Sequence, residues 1–178
     1  MKHLTVALKF FFFASYVLAQ QAKPDDSMKD CPMHQEHAAQ SHDALVKSHG
    51  DQAMGFPHDQ TRHHFRMAPD GGSIEITVRD AKDQKDIDAI HSHLALISAR
   101  FADGDFSAPM FIHDGVPPGV TTMTRMKSAI HYVYEEMPLG GRVRIHSTDM
   151  AAIDAIHDFL RFQITEHQTG DRLEAAHQ

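Results

Sequence analysis

One short string occurs twice in this chain. Ile87-Asp88-Ala89-Ile90-His91 returns as Ile153-Asp154-Ala155-Ile156-His157, 66 residues on, and Gly104-Asp105 returns as Gly170-Asp171 at the same offset. Gly71-Gly72 returns as Gly140-Gly141 at an offset of 69, so a three-residue difference falls between turn and helix. Two similar units carry two similar apolar faces, and the simplest way to bury them is against each other.

Each copy reads as a hairpin followed by a helix. In the first, about residues 62–105, the turn Pro69-Asp70-Gly71-Gly72 precedes Ile74, Ile76 and Val78, which alternate with polar residues as a half-buried strand does. Ile87, Ile90, Leu94, Ile97 and Phe101 then form a stripe at helical spacing, and Gly104 stops it. In the second copy, about residues 129–171, strands over 130–136 and 142–147 flank a turn at 138–141. Asp149 caps a helix with the stripe Ile153, Ile156, Leu160 and Ile164. The order ββα–ββα predicts an α+β domain over 58–178: a duplicated ββα unit, with a four-stranded antiparallel sheet and two long helices on one face. The connector 105–128 belongs to neither copy, and a short helix is expected from Val120.

Two segments precede this domain. Residues 1–19 start with Lys2 and His3, run through an apolar stretch and end in Val17-Leu18-Ala19, the layout of a secretory signal peptide. The apolar run is about ten residues, short of the roughly 20 that a spanning helix needs. The expected location is therefore periplasmic or secreted, with no membrane span after cleavage. Residues 20–57 are polar, with Leu45 and Val46 as their only branched aliphatics, and read as a flexible His- and Met-rich tail with a weak helix over 34–49 ending at Gly50. A net charge of −7 makes nucleic acid a poor partner.

Sixteen His and ten Met stand beside a single Cys, so the chemistry on offer is ligand chemistry. Cys31-Pro32-Met33-His34, followed by His37, brings thiolate, thioether and imidazole within a few residues. The first two donors favour Cu(I), and the third suits copper or zinc. This core resembles the short heavy-metal-binding segments of copper export systems, with Lys29 and Gln35 where those segments carry an aromatic and a Pro. The resemblance covers Cys31 to His34 and implies copper, with a copper efflux or delivery protein as partner; with His37 close by, the expected ligand set is Cys31, Met33, His34 and His37. The globular part looks like a group of small uncharacterised exported bacterial proteins with the layout HHF…GG…GD…PPG…YEE…GGRVRI.

A second candidate set is His58, His63, His64 and His113. In a strand His63 and His64 point to opposite faces, so one of them joins His58 at the domain edge. His113 lies in the long connector and converges with them only if that connector folds back over the first strand. His91 and His157 border their stripes as structural residues, His93 faces solvent, and His167 ends the last helix, where the dipole favours a cation. No G-x-S-x-G elbow, H-E-x-x-H pair or Gly-rich phosphate loop is present. The expected function is metal binding, with copper as Cu(I) or Cu(II), or zinc, for sequestration or delivery. The alternatives are an exported module that binds a non-metal ligand or partner, and a small hydrolase using His113 as its base.

Overall fold

The structure, a computed structural model, describes residues 32–175, with side chains from residue 41 onward. The expected export segment 1–19 and Cys31 lie outside the described residues, as do the side chains of Met33, His34 and His37.

Nine elements follow in order: α1 Pro32–Met54, β1 Thr61–Ala68, β2 Gly71–Val78, α2 Gln84–Ala102, α3 Ser107–Ile112, α4 Val120–Arg125, β3 Ile130–Met137, β4 Gly140–Ser147 and α5 Met150–Glu166. The strands form one antiparallel sheet in the order β1-β2-β4-β3. Each hairpin is closed by a two-residue turn, and the hairpins join along β2 and β4. Gly71 and Gly140 take positive φ at equivalent places. A Cβ on Gly71 would lie 2.3 Å from the carbonyl oxygen of Ile145, and one on Gly140 would lie 2.0 Å from that of Ile76. Only glycine fits where the two hairpins meet.

Pairing fixes which residues share a face. Phe65 opposes Ile74, Ile74 opposes Val143, and Tyr134 opposes Val143 from the other side, so all four point to one side of the sheet. Gly72 and Gly141 lie on that same side, opposite Ile145 and Ile76. A Cβ on Gly72 would meet Leu160 of α5, and one on Gly141 would meet Leu94 of α2. Both long helices therefore lie on one face of the sheet. Each leans chiefly on the other unit's hairpin: α2 on β3 and β4, and α5 on β1 and β2. Their starts are capped by Asp83, which accepts from the Asp86 amide, and by Asp149, which accepts from those of Ala151 and Ala152. The buried core runs through Ile90, Leu94, Val143, Ile145, Ile156, Phe159 and Leu160.

The open face carries the charges. Glu75 is nearly buried there and is held by Arg66 Nε at 3.0 Å, by the Ser73 hydroxyl at 3.2 Å and by Arg142 at 3.6 Å. His131 and His146 oppose each other across β3 and β4, with ring centroids 5.2 Å apart.

The segment expected as a flexible tail departs from that expectation. α1 continues through Gly50 to Met54 and stops at Gly55, whose φ is +80°. Its described inward side is Val46, Gly50 and the part-buried Met54, and Phe56 just beyond it joins the core. Phe56 joins a core of residues far away in sequence, and α1 packs on α3, which local composition cannot show.

Candidate metal centre

Four elements bring histidines together at one end of the sheet. A 3-10 turn, His58–Gln60, follows α1 and is tied back to it by the His58 amide, which donates to Asp51 Oδ1 at 2.6 Å. His63 on β1 opposes Ile76, so its side chain faces the helices, and its ring stacks on that of His58 at 4.5 Å. His113 caps the end of α3, and His167 caps the end of α5. The His167 ring is 5.7 Å from that of His58, 6.1 Å from that of His63 and 5.1 Å from that of His113. Met54 places its sulfur 3.3 Å from His63 Nε2.

Of the residues expected at this end, His58, His63 and His113 are therefore gathered, with His167 as the common neighbour. His64 is not. It points to the open face, where Nδ1 lies 3.0 Å from Asp171 Oδ1. The strand alternation holds, and the histidine that joins His58 is the one facing the core. Two residues were read differently from the sequence. His167 ends the last helix but is not held there as a cation: burial lowers its pKa to about 3, and the neighbouring His113 and His58 add to the shift. His93 is not turned to solvent: Phe56 meets its ring edge-on at 5.7 Å, and burial lowers its pKa to about 4.

The cluster is neutral for a physical reason. Burial pushes His63 well below its usual range, with the His58 and His167 rings adding to it. Burial also lowers His58 and His113, against opposing pulls from Asp51 on the first and from Gln163 and Glu166 on the second. Neutral imidazole is the form that binds a metal.

His113 shows the finest positioning. Its side chain is 1% exposed. Nε2 lies 3.2 Å from Gln163 Oε1 and donates to it, which leaves Nδ1 as the lone-pair nitrogen. That Nδ1 is buried with no hydrogen-bond partner, 3.6 Å from Glu166 Oε2. The Nδ1 atoms of His58 and His167 are buried and unpartnered too. Three unpartnered ring nitrogens in one buried cluster are unusual, because buried polar atoms are generally satisfied.

The stacked rings do not aim at a common point. Among the described residues, no three His, Cys, Asp or Glu side chains are placed to hold an ion as they stand. A cleft of about 600 Å³ opens beside the cluster, lined by His58 and His167 together with Asp43, Asp51, Asp59, Glu166, Lys47 and Arg79. Among the described residues, no helix is long and apolar enough to cross a membrane. Comparison with protein-family models, with curated proteins and with solved structures finds no match for this chain.

Proposed function

We propose that this chain binds a late transition metal through the cluster of His58, His63, His113 and His167, and that it sequesters copper or hands it on outside the cytoplasm. The observation that carries the reading is the set of three buried, unpartnered Nδ1 atoms on His58, His113 and His167. Binding requires these rings to turn toward a common point, and the cleft beside them gives an ion a way in. The signal-like start of the sequence supports export. The Cys31-Pro32-Met33-His34 segment supports a copper efflux or delivery protein as partner. Zinc is the alternative ion, since imidazole suits both.

The test is a metal titration of the full chain carrying Cys31→Ser, Met33→Leu, His34→Ala and His37→Ala, so that the first segment does not compete. One equivalent of Cu(I), Cu(II) or Zn(II) should bind, and His58→Ala with His167→Ala should abolish it. Equal binding with and without the double substitution would remove the reading.

The mixed charge of the cleft supports a second reading. Lys47 and Arg79 face Asp43, Asp51 and Asp59 across one opening, a lining suited to a small zwitterion. A chain that takes up no metal, but is stabilised by an amino acid or short peptide, would favour it.

A further inference from the structure

We infer that the histidine cluster is a Cu(I) site whose soft ligand is Met54. The inference rests on the metal reading above and adds the ion's oxidation state and a ligand from α1. The geometry of two atoms carries it. Met54 Sδ and His63 Nε2 are 3.3 Å apart. With about 2.0 Å from an ion to an imidazole nitrogen and about 2.3 Å to a sulfur, that separation subtends roughly 100° at the ion. The separation therefore suits two donors of one ion, which the His63 ring tilts to meet because its Nε2–H now points toward the sulfur. The proton that Nε2 now directs at the sulfur moves to Nδ1 when the ion binds, so the imidazole stays neutral.

The remaining donors are close. His58 stacks on His63, and His167 lies behind it, each with an unpartnered buried Nδ1. Cu(I) accepts two, three or four ligands, so either ring completes the site by turning. Asp51 Oδ1 accepts from the His58 amide, and Glu166 Oε2 lies 2.7 Å from His42 Nε2.

Softness and charge point the same way. A thioether among imidazoles selects Cu(I) over Zn(II) and Cu(II). The side of the cluster that faces the core is apolar, with Phe65 stacked on His167 at 5.5 Å, while the cleft on the other side is charged. On the core side the cost of placing an ion grows with the square of its charge, which favours a monocation over a dication.

Met54 reaches His63 because α1 runs on to the residue before Gly55. It also keeps the two sulfur-bearing sites apart. His34 and Met54 are separated by 20 residues of continuous helix, about 30 Å, so Met33 and Met54 cannot hold one ion.

The experiment adds Met54→Leu to the chain already carrying Cys31→Ser, Met33→Leu, His34→Ala and His37→Ala. Cu(I) is titrated without oxygen against a chromophoric Cu(I) chelator, and Zn(II) is titrated in parallel. Leucine keeps the volume, and circular dichroism checks the fold. Cu(I) affinity should fall by at least about tenfold, while Zn(II) affinity stays within about twofold. X-ray absorption of the Cu(I) form should show a sulfur neighbour near 2.3 Å that Met54→Leu removes. Unchanged Cu(I) affinity, or a spectrum with nitrogen neighbours alone, overturns the inference and leaves the histidine reading standing. Absence of any metal binding in the parent chain overturns both.

Discussion

His157 on α5 donates from Nε2 to the carbonyl of Ala68, 2.9 Å away at the turn between β1 and β2. The same nitrogen lies 3.1 Å from the Gly71 carbonyl. His91, its counterpart on α2, reaches the Met137 carbonyl at the other turn, at the longer distance of 3.4 Å. Each helix thus staples the hairpin of the opposite unit. His157→Ala should cost about 1–2 kcal/mol of stability, and His91→Ala about half of that or less. Urea unfolding of the two variants checks the order, and a larger loss for His91→Ala would contradict the geometry.

The glycines of the two turns should also differ. A Cβ on Gly72 would lie 2.2 Å from the Arg66 carbonyl oxygen, which is backbone and cannot step aside. On Gly141 the nearest atoms are side-chain carbons of Leu94 and Tyr134 at 3.1 Å. Gly72→Ala should therefore cost about 3 kcal/mol or more and Gly141→Ala about 1. Thermal unfolding distinguishes them, and equal shifts would mean that the strand moves to make room.

Acid should weaken the metal-free protein in a defined window. His93 and His167 are held neutral, with folded pKa values of about 4 and about 3 against about 6.5 when unfolded. Because the folded values are the lower ones, the unfolded chain binds more protons between them. Stability is complete above about pH 6.5 and is lost as pH falls toward the folded values, by about 1.4 kcal/mol for each unit of separation per residue. The unfolding temperature should be flat from pH 8 to pH 7 and drop below pH 6.5. His93→Leu should reduce the slope, and a profile identical to that of the parent would refute this.

Metal should act on stability as well as on spectra. An ion bound only by the folded state, present at about a hundred times its dissociation constant, adds about 2.7 kcal/mol. In the chain with the first segment substituted, Cu(I) should raise the unfolding temperature, and a chelator should restore it. His58→Ala with His167→Ala should remove the effect while leaving the metal-free unfolding temperature lower by no more than a few degrees. A rise that survives the double substitution would put the ion elsewhere.

The repeat made the sheet and its two helices legible, because Ile74, Ile76 and Val78 alternate and Ile153, Ile156 and Leu160 keep helical spacing within one segment. The site was legible only in part. His58, His63 and His113 drew notice as histidines near a strand edge or on a long connector. His167 was read as a helix-end residue where the dipole favours a cation, and only the packing of α5 against β1 turns that position inward. The burial of His93 and the place of Met54 beside His63 were not legible for a shared reason. The cover over the first and the position of the second both depend on how α1 ends, and that end is set by Phe56 finding a pocket made by residues far along the chain. Gly50 looked like the stop, yet the residue that takes left-handed φ is Gly55.

Because α2 and α5 each lean more on the other hairpin than on their own, the two halves share one core. In architectural terms the two hairpin–helix halves are interleaved within one backbone. The connector that fuses them is also the segment that carries His113, so the join between the halves doubles as part of the site.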